Sequence, residues 1–366
     1  MLTMHPSIML GSYVLDEDRL PRDEFEIRLA PLYEMMKTEG YAATLVYGDA
    51  REHEALAYFT NFIPRMRWAM AMIPAQGEPR LLISISSRDM PAMKTMTGIA
   101  DVKSGWEWKW FDEFIARFAS PAKLATINFD MMTPLLFGQL AKSIAERFDL
   151  VDVDGIAAQA RAIHRPREIA MTRIASGIVR EMGAEIRAKW TDGADVETAA
   201  LAGERLARAR GAQDVRTLVS RDNGLTLEPY RAQFTGRPKT LLTYAAVKYM
   251  GYWAETFVST GGAVSAANAR LETMLAAVKP GAPVCALAQH ADHPTLAGSG
   301  GHRIGLSPIE GAEFTQHEKS VIETNIVYAL RAGCIVNGVG AIASAMVCLR
   351  GNGMLETLVR SEMSHN

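Results

Sequence analysis

The sequence has few cysteines and no long apolar run, and each absence excludes a class of protein. Its three cysteines, Cys285, Cys334 and Cys348, are an odd number without CxxC spacing, so they predict neither a disulfide framework nor a thiolate zinc site. No stretch approaches the roughly 18 apolar residues that a membrane-spanning helix needs. The first residues also lack the basic segment and apolar run of a secretory signal. We therefore expect a cytoplasmic protein with no membrane partner.

An excess of charge of one sign is also absent. The 39 basic and 41 acidic residues give a formal net charge of −2, and no block of Lys and Arg stands out along the chain. A protein that binds nucleic acid needs positive charge to neutralise phosphates. The composition therefore predicts no nucleic-acid partner.

What is present is a chain long and apolar enough for two domains. Of its 366 residues, 48% are hydrophobic, which allows a large buried core. Residues 1–155 alternate helical patterns, one of which ends at Gly40, with strand patterns, and this alternation predicts an α/β domain. Residues 156–366 begin with a helical pattern that opens at Pro166 and a second that stops at Gly211, and strand patterns follow. Helices followed by a run of strands are typical of an α+β domain.

Five short motifs follow one another in the order of a known enzyme family. They are "HRPREIAMTRIASGI", "YMGYWAETF", "GGHRIGL", "IETNIVYALRAG" and "AIASAMVCLRGNG". The first resembles the helix that opens the catalytic domain of the pita-bread enzymes, which include creatinase, prolidase and the aminopeptidases for proline and methionine. The others resemble that family's Gly-Tyr-x-x-Asp strand, Gly-His-Gly-x-Gly turn, Glu-Pro-Gly segment and closing Glu-Asp strand. The resemblance covers most of the chain and implies an α/β N-terminal domain and an α+β C-terminal pita-bread domain.

The resemblance also implies five ligand positions for a pair of metal ions. The metal-dependent members of the family hold two divalent ions with two Asp, one His and two Glu. In this sequence those positions fall on Tyr244, Glu255, His302, Arg331 and Ala343. A guanidinium has no lone pair to donate and repels a cation at close range. We therefore predict that this site holds no metal and no other cofactor.

Without a metal, the same resemblance implies acid–base roles for the remaining polar side chains. His302 is the candidate general acid or base because the pKa of imidazole lies near neutrality. Glu255 and Glu310 are expected in the same cleft, where they would orient the imidazole and move protons with it. Tyr244 either donates its hydroxyl to a substrate or fills the volume that the metal vacates. The alternative for His302 is a purely structural hydrogen bond within a glycine-rich turn.

Three further positions are candidates for substrate binding within the C-terminal half. Arg331 must meet an anion, either Glu255 or a substrate carboxylate, because a buried unpaired arginine is costly. Glu228 stands at or beside the position of a substrate-contacting His in the family. Trp253 either packs within its strand or stacks on a substrate.

The remaining candidates concern loops and a second subunit. The family's second substrate-contacting His falls on Gly298, and we expect the neighbouring His290 and His293 to be solvated loop residues. Arg65 and Arg67 lie in "FTNFIPRMRWAM", which resembles the segment that creatinase extends into the site of a partner subunit. The resemblance therefore implies a homodimer in which one of these arginines either binds a substrate carboxylate across the interface or ends a solvated strand.

These residues favour a metal-independent hydrolase of the creatinase type. Its substrate would be a small molecule that bears a carboxylate, and the reaction would cleave a C–N bond by proximity and charge complementarity. One alternative on the same fold is a lyase that removes a proton beside a carboxylate. The other alternative is a binding module without catalytic activity.

Overall fold

The computed structural model describes residues 13–229, 231 and 237–361, and the chain divides into two compact units. The first unit ends at Ala162 and the second begins at Ile163. The boundary lies beyond residue 155, because the helix Asp154–Ala162 packs against helices and a strand of the first unit. None of the helices in the described ranges has the length and apolar character needed to cross a membrane.

The N-terminal unit is an α/β domain around a six-stranded sheet. Its helices are α1 (Arg22–Glu39), α2 (Glu54–Thr60), α3 (Met90–Met93), α4 (Lys109–Ile115), α5 (Pro134–Ile144) and α6 (Asp154–Ala162). Its strands are β1 (Tyr41–Asp49), β2 (Trp68–Pro74), β3 (Arg80–Ile83), β4 (Asp101–Ser104), β5 (Ala122–Ile127) and β6 (Phe148–Asp152). The strand order is β4-β3-β2-β1-β5-β6. Gly40 ends α1 in the left-handed region with φ of 72°, which confirms the predicted helix end.

The described residues of the C-terminal unit form two antiparallel sheets and four helices. The helices are α7 (Pro166–Thr191), α8 (Val196–Ala209), α9 (Val264–Ala277) and α10 (Cys285–Ala288). The strands are β7 (Asp214–Val219), β8 (Leu242–Tyr249), β9 (Tyr252–Ser259), β10 (Gly301–Arg303), β11 (Val327–Val336), β12 (Val339–Leu349) and β13 (Leu355–Arg360). One sheet has the order β7-β8-β9 and the other the order β10-β11-β12-β13. The predicted fold class of both domains is confirmed.

Helices cover the outer face of each sheet in the C-terminal unit. Helix α7 packs against β8 and β9 with α8 beside it, and α9 packs against β11 and β12. Side chains alternate between the faces of a strand, so Ala343 and Ala345 lie in the core under α9. Ser344 and Met346 project from the other face of β12, towards β9. The inner faces of the two sheets therefore meet along β9 and β12.

Hydrogen bonds from side chains join these two strands. The hydroxyl of Ser259 donates to the carbonyl of Ile342 at 2.8 Å and accepts from the amide of Ile342 at 3.1 Å. The hydroxyl of Ser344 accepts from the amide of Phe257 at 2.9 Å. Buried backbone groups need such partners. These bonds fix the register of the two sheets relative to each other.

A close approach of two glycines holds the loop after β7 against the start of β12. A Cβ on Gly340 would lie 2.2 Å from the carbonyl oxygen of Gly224. The amide of Gly340 donates to the carbonyl of Asn223 at 3.0 Å. The ring Nε2 of His293 lies 2.7 Å from the same Gly224 carbonyl oxygen. No side chain fits at either glycine unless the backbone moves.

We expect Gly340→Ala to destabilise the C-terminal unit by about 2 kcal/mol or more, because the added methyl group would overlap a backbone carbonyl. The matched control is Gly262→Ala, since Gly262 is exposed and a Cβ there has no neighbour within 4 Å. The control should change stability by no more than about 0.5 kcal/mol. Chemical unfolding of both variants measures the difference, and equal stability would contradict the packing described.

Candidate active site

Four strands bring the sequence-predicted residues Tyr244, Glu255, His302 and Arg331 into one cleft. The hydroxyl of Tyr244 on β8 donates to Oε2 of Glu255 on β9 at 2.9 Å. Nε2 of His302 on β10 lies 3.5 Å from the same carboxylate oxygen. His302 pairs with Ala329 of β11, and Arg331, two residues further along β11, projects from the same face. The predicted proximity of His302 and Glu255 is therefore present in the structure.

Burial controls the protonation of the pair formed by His302 and Glu255. The two residues are 1% and 4% exposed. Burial, together with the positive charge of Arg331, lowers the pKa of His302 from 6.5 to about 3. Burial raises the pKa of Glu255, while Arg331 and the hydroxyl of Tyr244 act in the opposite direction. The site therefore contains a neutral imidazole beside a carboxyl group whose charged form is disfavoured by burial.

Hydrogen bonding at His302 is incomplete. Both ring nitrogens are buried and neither has a hydrogen-bond partner among the described residues. A buried polar atom without a partner costs free energy, and such atoms recur at functional sites. Nε of Arg331 is likewise buried and has no hydrogen-bond partner among the described residues. Polar groups that could contact a ligand therefore line the cleft on two sides.

Arg331 pairs with an anion that the sequence does not reveal. Its Nη2 donates to Oε1 of Glu313 at 2.5 Å and to the hydroxyl of Ser299 at 3.3 Å. Glu313 lies in residues 311–320, which form neither helix nor strand. The expected internal partner was Glu255, whose pKa is raised by burial and lowered by the charge of Arg331. No motif marks Glu313, because loop residues reach a site through tertiary folding alone.

The fifth ligand position, assigned to Ala343 from the sequence, is wrong by one residue. Ala343 pairs with Ala332 and packs under α9, so it faces away from the cleft. Ser344 pairs with Arg331, and directly opposite residues share one face of an antiparallel pair. A shift of one residue moves a side chain to the other face of a sheet. The fifth position on the cleft side is therefore Ser344, whose hydroxyl is used by the amide of Phe257.

Glu310 does not lie beside His302, contrary to the sequence expectation. Glu310 is the antiparallel bridge partner of Arg303, so its side chain follows that of Arg303, and His302 projects from the opposite face. Its Oε1 accepts from the amide of Ser307 at 3.0 Å and closes the turn after β10. We assign Glu310 a structural role and remove it from the catalytic candidates.

Two residues predicted to contact a substrate, Trp253 and Glu228, are engaged with other side chains of the protein. Trp253 is 1% exposed, and the cationic groups of Arg216 and Lys248 lie 4.3 and 4.8 Å from its ring centroid. Trp253 therefore packs within its strand, which is one of the two predicted positions for this residue. Glu228 binds Arg221 through an oxygen–nitrogen distance of 2.9 Å. Its carboxylate is therefore engaged in an ion pair, which also includes Arg231 at 3.4 Å.

The structure adds Arg216, which the sequence analysis missed. Arg216 pairs with Ala246, and Ala246 pairs with Glu255, so the three residues form a row on one face of the sheet. Arg216 is exposed, and its charge lowers the pKa of Tyr244, whereas burial raises that pKa well above the ordinary value. Alternation along β7 predicts which face it occupies, but only strand pairing places it beside the cleft.

The other predicted residues, His293, Arg65 and Arg67, lie outside the cluster around His302. His293 is buried rather than solvated, because it packs against Gly333 and binds the Gly224 carbonyl. Arg65 and Arg67 lie in the N-terminal unit between α2 and β2, where the guanidinium of Arg67 stacks on Trp106 at 5.3 Å. Their approach to the cleft of a partner subunit stays a prediction.

Comparison with known proteins identifies the fold. Residues 28–163 match the Creatinase/Prolidase N-terminal domain family. The prolidase from Pyrococcus horikoshii OT3 is 15% identical, with a TM-score of 0.73 over 92% of this chain and 99% of that one. The X-Pro aminopeptidase from Thermotoga maritima MSB8 is 19% identical, also with a TM-score of 0.73, over 92% of this chain and 98% of that one. The His350Ala aminopeptidase P from Escherichia coli is 14% identical, with a TM-score of 0.69 over 92% of this chain and 94% of that one. No curated protein matches.

The chain therefore has the pita-bread fold, with an N-terminal domain of the creatinase/prolidase type. This result confirms the resemblance on which the site residues were assigned. At these levels of identity the solved structures establish the fold alone.

The side chains of this cleft do not fit a pair of divalent ions. Arg331 and Tyr244 present hydrogen-bond donors where oxygen ligands are required, and the hydroxyl of Ser344 is used by a backbone amide. At the five positions, only His302 and Glu255 carry the imidazole or carboxylate groups that such ions prefer. In the described ranges, no group of three or more His, Cys, Asp or Glu side chains is arranged to hold a metal ion.

Purified protein dialysed against Mn²⁺, Co²⁺ or Zn²⁺ should retain no stoichiometric metal at this site, because a guanidinium replaces a ligand. Elemental analysis of the wild type and of His302→Ala measures the metal content. Retention of about two ions per chain that are lost in His302→Ala would contradict this prediction.

The imidazole of His302 should stay neutral between about pH 8 and about pH 5, because burial favours the uncharged form. Nuclear magnetic resonance of the histidine ring carbons follows this titration, and His302→Gln identifies the signal. Arg331→Met should raise the pKa of His302, since it removes a nearby positive charge. Because folding lowers this pKa, protonation in the unfolded chain should destabilise the fold as the pH falls from about 6.5 towards about 3. A midpoint near the ordinary value would contradict the burial of His302.

Proposed function

We propose that this chain is a metal-independent hydrolase that cleaves a C–N bond in a small molecule bearing a carboxylate. The observation that carries the proposal is the position of Arg331, a permanent cation, beside the buried pair of His302 and Glu255. The similar solved structures include prolidases and an X-Pro aminopeptidase, whose names support a hydrolase. The ligand chemistry of this cleft favours a substrate that carries its own negative charge.

Arg331 is the proposed binding site for the substrate carboxylate. Its buried Nε has no partner among the described residues, and a guanidinium binds a carboxylate through two parallel N–H groups. Arg216 adds a second positive charge on the same side of the β7-β8-β9 sheet. A small anion is therefore attracted to the cleft and oriented within it.

Proton transfer is the proposed role of His302 and Glu255. Hydrolysis forms a bond between the carbon and the oxygen of water, and the proton that water loses passes to the departing nitrogen. His302 accepts that proton as a neutral imidazole and returns it to the nitrogen as the C–N bond breaks. The carboxylate of Glu255, 3.5 Å from Nε2, stabilises the transient imidazolium. The hydroxyl of Tyr244 holds this carboxylate in place.

Substrate binding and proton transfer are coupled by charge. In the free protein, burial lowers the pKa of His302, and the positive charge of Arg331 contributes to the same shift. A carboxylate bound to Arg331 neutralises this charge, so the imidazole becomes a better base when substrate is present.

His302→Ala should lower the turnover number by about 10²–10⁴-fold, the usual contribution of a general acid or base, with the fold retained. Arg331→Met should act mainly on substrate affinity, by about 2–5 kcal/mol for a desolvated charge pair. Steady-state kinetics on a substrate found by metabolite screening separates the two effects. Wild-type turnover in His302→Ala would contradict the catalytic role.

Hydrolysis in ¹⁸O-labelled water distinguishes the proposed reaction from the lyase. A hydrolase transfers one labelled oxygen to the product, whereas elimination gives an unsaturated product without label. Labelled product that is absent in both His302→Ala and Glu255→Gln supports the proposal. An unsaturated, unlabelled product would identify a lyase, and no turnover of any carboxylate would favour a binding module.

A further inference from the structure

The ion pair between Arg331 and Glu313 connects the interior of the cleft with its rim. The side chain of Arg331 is 14% exposed and that of Glu313 is 42% exposed. Nη2 of Arg331 is used by Glu313 and Ser299, whereas its buried Nε has no partner among the described residues. The buried Nε is therefore left unpaired within the described residues, and the accessible part of the guanidinium is occupied by an acidic residue of the protein itself.

We propose that Glu313 is a displaceable counter-ion, which a ligand carboxylate must replace on Arg331 to enter the cleft. This inference rests on the proposed function, since it assumes that Arg331 binds a carboxylate. Glu313 has the same chemical group as such a ligand and occupies the guanidinium in its absence. It is therefore a specificity-determining residue.

Displacement is compatible with the surroundings of Glu313. An ion pair with one partly exposed partner contributes little to stability, because water stabilises the released carboxylate. The exchange also conserves charge at Arg331, since one carboxylate replaces another. A neutral ligand cannot compensate for the lost ion pair, whereas an anion can. Glu313 thus favours anionic over uncharged ligands in the cleft.

The backbone around Glu313 is held independently of the ion pair with Arg331. Residues 311–320 contain no helix or strand, and the backbone amide of Phe314 anchors this segment to Gly301 at 2.8 Å. The side chain of Glu313 can therefore turn towards water while the adjacent backbone stays attached to β10.

The test measures binding of trifluoroacetate, a small carboxylate, by ¹⁹F nuclear magnetic resonance at constant ionic strength. Trifluoroacetamide is the uncharged comparison. Glu313→Gln removes the competing charge and retains the size of the side chain, so trifluoroacetate should bind about 3- to 10-fold more tightly than to the wild type. Glu318→Gln is the matched control, because Glu318 is a partly buried acid of the same segment whose carboxylate accepts from the amide of Ser320 and does not contact Arg331. The affinity of this variant should equal that of the wild type.

The outcomes separate this inference from the proposed function. Displacement is supported if trifluoroacetate binds more tightly to Glu313→Gln but not to Glu318→Gln. Adding Arg331→Met to Glu313→Gln should then abolish the binding. Weaker or unchanged binding in Glu313→Gln, with binding still lost in Arg331→Met, overturns displacement and leaves the carboxylate site of the proposed function intact. Binding that is absent from every variant, or that persists in Arg331→Met, overturns both.

Discussion

The junction between β9 and β12 is the constraint on which the candidate active site depends. Its bonds run from side chains of one strand to the backbone of the other, through Ser259 and Ser344. The amide of Glu255 adds a contact of 3.1 Å to the sulfur of Met346. Tyr244 and Glu255 come from one sheet, and His302 and Arg331 come from the other. A slip at this junction would therefore separate the carboxylate from both the imidazole and the guanidinium.

Burial and charge act on the same few groups within this frame. Desolvation disfavours the charged forms of His302 and Glu255, while Arg331 is positive at any physiological pH. A site of this kind stabilises an anion better than it polarises a carbonyl. The proposed chemistry consequently relies on the charge that a substrate brings, rather than on a bound Lewis acid.

The sequence predicts the local structure well and the side-chain contacts only in part. Gly40 and Pro166 mark helix ends through backbone preferences that act within one turn, and both predictions are confirmed. The assignment to Ala343 fails by one residue, because register depends on the partner strand and not on the motif. Glu310 and Glu313 lie three residues apart, yet only Glu313 contacts Arg331. That difference depends on how one loop crosses β10, and no local pattern encodes it.

Arg331 and Glu313 together carry no net charge, and this balance has an evolutionary consequence. The strand position that resembles a family glutamate holds a cation, while an acidic residue stands in an adjacent loop. Loops accept substitution more readily than buried strands, so a loop acid can arise first and make a later charge reversal in the strand tolerable. Two successive mutations can thus reverse the charge at one buried strand position without an unstable intermediate.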